Sequence, residues 1–306
     1  MSTDDAIRLT HVAKSFSGHS AVKDLSLAVP RGSVFGLLGP NGAGKTTTLR
    51  MVMNILAPDN GTIEILGAPA GPRSRDRIGY MPEERGLYPR MVLEEQLLFL
   101  AEIKGTPRRE AARRLPAWLE RLGLADWAKR KVNELSKGMQ QKAQFIATVL
   151  HEPEVLVLDE PMSGLDPVGM DNMRHVLLDL KRQGTTLILS SHQMETVERL
   201  CDRVVLIDRG EKILDGRVSD VKKEHGKNTL VLAFDGDGSF LASLPGVGGI
   251  THFGRHVEIR LTEAADPQIL LREATARLRV SRFEIVEPSL HDIFVARVTA
   301  HGKAVA

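Results

Sequence analysis

The chain has 306 residues, 42% hydrophobic and 26% charged, a balance that suits one large folded domain followed by a smaller one. Its 41 basic residues against 39 acidic ones leave no global field of the kind that draws a protein to nucleic acid, and no run approaches the roughly 20 apolar residues of a membrane span. The N-terminal segment has no apolar leader, and the single cysteine, Cys201, has no internal disulfide partner and neighbours Leu200 and Val204 as core residues do, so a reduced, cytoplasmic setting is expected.

Residues 5 to 38 read as short strands around the turn Ser17-Gly18-His19, entering the apolar strand Val34–Leu38. That strand runs into Gly39-Pro40-Asn41-Gly42-Ala43-Gly44-Lys45-Thr46, which fits GxxxxGK[ST] at every fixed position, and a helix over 46–53 follows. Strand, loop and helix in that order are the context this motif requires. The glycines let backbone N–H groups turn inward around a polyphosphate, and the helix N-terminus adds its partial positive charge. Lys45 is expected to reach the β- and γ-phosphates and the Thr46 hydroxyl to ligate Mg²⁺, with Thr47 completing the loop. A nucleoside triphosphate is the expected ligand.

Two further strands are expected over 62–66 and 77–80, and the arginine-rich segment Arg73-Ser74-Arg75-Asp76-Arg77 reads as a solvated loop. From 92 to 151 the period turns helical, with Pro107 and Pro116 marking helix starts or breaks. Within it, Leu135-Ser136-Lys137-Gly138-Met139-Gln140 opens an amphipathic helix that runs to about His151. Ser136 suits an N-cap and Gly138 leaves N–H groups accessible, which by itself says only that a helix starts there. The apolar strand 155–158 ends in Asp159-Glu160. Ligands sit at the carboxyl ends of parallel strands, so Asp159 is placed to hold Mg²⁺ and Glu160 to orient or deprotonate an attacking water. Acidic residues also cap helices after strands; the phosphate loop tips the balance toward chemistry.

Strands near 155–159, 185–190 and 203–208 alternate with helices near 168–183 and 194–201, which implies a parallel α/β sheet. After Gly226 the pattern changes: strands over 229–234, 256–261 and 280–286, a helix over 267–278, and a short terminal helix from Pro288. No cluster in this tail has metal-ligand or catalytic spacing, and the adjacent His291 and Asp292 point in different directions on a helix.

Taken together, these motifs resemble those of ATP-binding cassette (ABC) ATPases over roughly residues 5 to 225. Leu135 to Gln140 is similar to the LSGGQ signature, with Lys137 and Met139 as departures; Ser163-Gly164-Leu165-Asp166 resembles the D-loop; His192 resembles the switch histidine; and Phe16 matches the aromatic that stacks on adenine. Alone, Phe16 would pass for a core residue of an alternating strand, His192 for an ordinary first-turn residue, and Asp166 before Pro167 for a helix start. The resemblance implies a P-loop α/β cassette of residues 1–225 with a RecA-like core, an antiparallel β subdomain and a helical subdomain at about 92–151, then a small α+β domain over 226–306. It implies an Mg²⁺-dependent ATPase that dimerises with a second copy or a related cassette, ATP lying between the phosphate loop of one and Ser136 and Gly138 of the other.

Residues 78 to 89 and the trailing domain resemble sodium-exporter-type subunits of type 2 ABC exporters, where a glutamine usually follows the first proline; here that position is Glu83, a candidate metal contact. On this likeness the cassette powers export through a separate multi-span permease, peripheral on the inner face of the membrane, with the surface from Glu83 to Arg90 facing that partner. The alternative is a soluble cassette ATPase acting on ribosomes or nucleic acid. Such proteins usually carry two cassettes or long coiled coils, whereas this chain has one phosphate loop and no sustained heptads.

Overall fold

A hairpin of two 12-residue strands, β1 (Asp5–Phe16) and β2 (His19–Pro30), begins the fold; its tip, Ser17-Gly18, has φ of 44° and 85°, as a two-residue hairpin turn requires. These strands are longer than the sequence suggests, because register shifts along the β1–β2 ladder absorb the breaks in alternation. The computed structural model describes residues 5–84, 86–224, 229–254, 256–262, 265–286 and 289–305.

The remaining elements follow in order: β3 (Val34–Leu38), α1 (Lys45–Val52), β4 (Asn60–Ile65), β5 (Ala68–Pro69), β6 (Ile78–Met81), α2 (Leu93–Ile103), α3 (Arg108–Arg121), α4 (Lys137–Val149), β7 (Val155–Asp159), α5 (Pro167–Arg182), β8 (Thr186–Ser191), α6 (Met194–Leu200), β9 (Arg203–Asp208) and β10 (Glu211–Arg217). One sheet is antiparallel, in the order β2-β1-β4-β5; a second runs β10-β9-β3-β8-β7-β6, with β9 through β6 parallel. Strands β3, β7 and β8 are buried along their whole length, which is why they read as unbroken apolar runs. Ile7, Leu9, Val29 and Ile65 of the first sheet share one core with Phe35, Leu37, Val157 and Ile188 of the second and Leu49 and Met51 of α1. Each such large apolar side chain contributes about 1.5–3 kcal/mol on burial.

Helices α2, α3 and α4 form the helical lobe, and Trp118 meets Phe145 edge-on within it, ring centroids 6.2 Å apart. Pro107 precedes α3 as expected, but Pro116 lies inside the helix instead of breaking it. Pro116 is exposed, so the carbonyl that loses its bond one turn earlier faces solvent. The segment Pro72–Arg77 is a 3-10 helix rather than an open loop; Ser74 is buried and Arg77 grips Glu154 with two hydrogen bonds.

The chain divides into two units, Met1–Gly216 and Arg217–Ala306. Residues 225–228, where the sequence suggests a boundary, and Pro288 lie outside the described residues. The second unit contains α7 (Val218–Glu224), β11 (Thr229–Asp235), β12 (Val247–His252), β13 (Val257–Leu261), α8 (Pro267–Arg277), β14 (Arg279–Val286) and α9 (Leu290–Val305). Its antiparallel sheet runs β12-β13-β11-β14, and Leu230, Leu232 and Ile259 pack with Leu270 and Ala274 of α8 into a separate core.

Candidate nucleotide site

Parallel pairing aligns the carboxyl ends of the central strands. Leu38 of β3 pairs with Ser191 of β8, and Asp159 of β7 pairs with Ser190. The loop Gly39–Gly44, the Asp159-Glu160 pair and His192 therefore emerge at one edge of one sheet.

The loop is shaped by close backbone approach. A Cβ on Gly39, whose φ is 154°, would lie 2.2 Å from the Ile207 carbonyl oxygen. One on Gly44, at φ 106°, would lie 2.3 Å from the carbonyl oxygen of Ala21. Between them, Pro40 is partly exposed, Asn41 and Gly42 are exposed, Ala43 is buried, and the Ala43 N–H donates to the Pro40 carbonyl (3.2 Å). Lys45 starts α1 and is 7% exposed; its Nζ donates to the carbonyls of Gly39 (2.8 Å) and Pro40 (3.0 Å). Burial holds the Lys45 ammonium below its usual proton affinity, against the opposing pull of Glu160, Asp159 and Glu83. All three carboxylates therefore act on this one cation. Thr46 and Thr47 are half-buried in the first turn of α1.

Asp159 is buried, with Oδ1 accepting from the Ser190 hydroxyl and Oδ2 without a partner among the described residues. Glu160 is buried and sits at φ 50°, a left-handed backbone unusual for a residue with a side chain. Its N–H donates to Ser190 Oγ (3.1 Å), and its Oε1 lies 2.8 Å from His192 Nδ1. The lone Asp159 oxygen is an unpartnered buried carboxylate oxygen, and Glu83, which acts on the same Lys45 cation, is exposed; oxygen donors of this kind, with the Thr46 hydroxyl in the first turn of α1, suit a hard divalent cation such as Mg²⁺. These residues fit the metal.

Phe16 ends β1 and is 42% exposed, with Lys14 Nζ 5.6 Å from its ring centroid. Exposure of a large ring beside a cation leaves a face open for stacking, unlike a core residue. Ser136 and Gly138 form a second group. Ser136 is exposed and caps α4 by accepting from the Met139 N–H (3.2 Å). A Cβ on Gly138 would lie 3.1 Å from the Gly164 carbonyl oxygen, so the start of α4 rests on the 163–166 turn. Asp166 caps α5 by accepting from the Gly169 N–H (2.9 Å). The described hydrogen bonds of Ser136 and Asp166 stay within these caps and do not reach the phosphate loop.

Three residues at the site escape a reading of motifs. Ser190 is the penultimate residue of a largely apolar strand, and Gln141 and Gln144 face the core from α4. Gln141 Nε2 donates to the carbonyls of Glu160 (3.2 Å) and Pro161 (3.3 Å), and Gln144 Nε2 to those of Pro82 (2.8 Å) and Glu84 (3.2 Å). Their signal is a polar residue at a position the periodicity assigns to the core.

Comparison with known proteins agrees with this geometry. A family model described as "ABC transporter" matches residues 22–163, and one described as "ATP-binding protein DrrA1-3-like, C-terminal domain" matches residues 216–298. An uncharacterized ABC transporter ATP-binding protein, YhaQ, of Bacillus subtilis is 42% identical over 96% of this chain and 99% of its own. The Nod factor export ATP-binding protein I of a Rhizobium species is 35% identical over 95% of this chain and 96% of its own. A solved structure of an ATP-binding subunit of an ABC transporter covers 72% of this chain and 93% of its own, at 31% identity and a TM-score of 0.68. No helix among the described residues is long and apolar enough to cross a membrane. With near-full-length likeness to such subunits, and a phosphate loop faced by two strand-end carboxylates, the chain belongs to the ATP-binding subunits of ABC transporters.

Proposed function

We propose that the chain hydrolyses ATP as one half of a dimer and that the cycle powers export through a separate multi-span membrane subunit, at the inner face of the membrane. The observation that carries this reading is the division of labour between adjacent carboxylates: Asp159 keeps a buried oxygen free, while Glu160 is aimed by His192 at 2.8 Å. In this reading residues 39–47 hold the phosphates, Lys45 compensates their charge, and Phe16 stacks on the adenine. Glu160 orients a water and accepts its proton, and His192 keeps the carboxylate pointed at that water. Thr46 and Asp159, with Glu83 as a further candidate, would hold Mg²⁺, which when bound would neutralise charge on the phosphate oxygens.

Ser136, Gly138 and Asp166 complete the partner's site instead of their own, which is consistent with their separate clustering at the starts of α4 and α5. Export is supported by the Nod factor export relative; the membrane subunit chooses the cargo. Residues 226–306 then act as an accessory domain to a 1–225 cassette.

Glu160→Gln tests the reading, since it removes a charge at nearly constant shape. ATP binding persists, hydrolysis slows about 100- to 10,000-fold, and ATP-bound dimer accumulates in size-exclusion chromatography. Unchanged turnover overturns it.

A further inference from the structure

We propose that Ser190 is a positioning residue for hydrolysis, one hydroxyl setting both the rotation of the Asp159 carboxylate and the backbone of Glu160. The inference rests on the functional reading above, in which those two carboxylates do the chemistry.

Ser190 is fully buried in β8, directly across the ladder from Asp159. A hydroxyl in an apolar parallel strand is costly to desolvate unless it is satisfied. Here it is satisfied twice. Ser190 Oγ–H donates to Asp159 Oδ1, and the same oxygen accepts the Glu160 N–H at 3.1 Å. The first bond engages one oxygen of a two-oxygen group and thereby fixes which one remains: Oδ2, buried and unpartnered. A freely rotating carboxylate would offer a metal two orientations; this one offers a single oxygen.

The second bond acts on an unfavourable conformation. Glu160 has φ 50°, where a Cβ crowds its own backbone, so the surroundings must enforce it. Both flanking peptide groups are held from outside: the N–H by Ser190, and the carbonyl by Gln141 Nε2 at 3.2 Å. That backbone directs the side chain to His192. If the N–H hold is lost, Glu160 can relax toward an ordinary φ, and its carboxylate swings from the line to the phosphates. Alanine at position 190 removes both bonds and leaves a nearly apolar strand intact; threonine keeps the hydroxyl.

The experiment compares Ser190→Ala and Ser190→Thr with wild type and Glu160→Gln in the full-length protein. Ser190→Ala should lower kcat about 10- to 100-fold, the usual size of a lost supporting hydrogen bond behind a metal or catalytic group, while the Kd for a fluorescent ATP analogue changes less than about threefold. Mn²⁺ is the metal probe. Its affinity, measured by electron paramagnetic resonance with a non-hydrolysable ATP analogue present, should fall severalfold in Ser190→Ala and recover in Ser190→Thr. A role in packing alone would lower the unfolding midpoint and scale binding and turnover together through the folded fraction, leaving Mn²⁺ affinity per folded molecule unchanged. In the Glu160→Gln background, Ser190→Ala should lower turnover by less than it does in wild type, because the part of its effect that acts through Glu160 is already lost, while the fall in Mn²⁺ affinity, which acts through Asp159, should persist.

Wild-type kcat and Mn²⁺ affinity in folded Ser190→Ala overturn the proposal, as do defects that Ser190→Thr does not restore. If Ser190→Ala fails to fold, Ser190→Cys, which keeps the volume but bonds weakly, takes its place under the same criteria. Full turnover in Glu160→Gln would instead strike the functional reading itself, so the two failures are separable.

Discussion

His151, just past the end of α4, sits between the helical lobe and β6. Its Nε2–H donates to the Ile78 carbonyl (3.3 Å), and its Nδ1 is buried without a partner among the described residues. Burial, reinforced by the Lys104 charge, pushes its pKa from 6.5 down to about 4, against the weaker pull of Ile78 and Asp76. The unfolded chain therefore takes up a proton near pH 6.5 that the folded chain refuses until about pH 4, and stability falls as the pH drops through that window. The full difference corresponds to at most about 3 kcal/mol, and partial exposure of the ring reduces the expectation to about 1–2 kcal/mol. Urea unfolding followed by tryptophan fluorescence measures it, because Trp118 and Trp127, the only two tryptophans, both lie in the segment from α2 to α4. Between pH 7.5 and 4.5, wild type should lose about 1–2 kcal/mol more than His151→Gln, which keeps a donor but cannot titrate. Parallel losses in the two proteins would refute the assignment of this acid sensitivity to His151.

Lys45→Ala should weaken ATP binding by about tenfold or more, since a buried ammonium in the phosphate loop is lost, whereas Ser136→Arg should leave monomer binding within about twofold and abolish ATP-driven dimerisation. A fluorescent ATP analogue and size-exclusion chromatography separate the two; equal loss of binding argues against a shared site. Glu83→Gln should weaken the dependence of ATPase activity on Mg²⁺ concentration while preserving turnover, because it removes a carboxylate from the field around Lys45. Superimposable magnesium titrations would assign Glu83 to the partner-facing surface.

Much of the cassette was legible because its physics is local. Buried parallel strands such as Val155–Asp159 announce themselves by continuous apolarity, and the phosphate loop by its own spacing. Elements whose stability comes from neighbours were not. Strand β12 contains Gly248 and Gly249 and gains its conformation from pairing with β13, and the polar β10 from lying against β9. Pro116 sits inside α3 on its exposed side, where water can satisfy the carbonyl that loses its helical bond and so lessens the penalty. At the site, motif spacing names Asp159, Glu160 and His192 but not the side chains that aim them, because Ser190, Gln141 and Gln144 act through contacts 19 to 62 residues apart in sequence.

Two glutamines on successive turns of α4 carry four carbonyl oxygens: those of Glu160 and Pro161 on one, those of Pro82 and Glu84 on the other. Those loops leave different strands, β7 and β6, which lie side by side in the parallel sheet. A hydrogen bond tolerates only a few tenths of an ångström before it weakens. Sliding or turning α4 by about one ångström must therefore drag both loops along or release all four carbonyls at once. The same helix begins at Ser136, the residue exposed at its cap. A push delivered at that tip arrives, within one rigid rod, at the backbone behind both carboxylate loops.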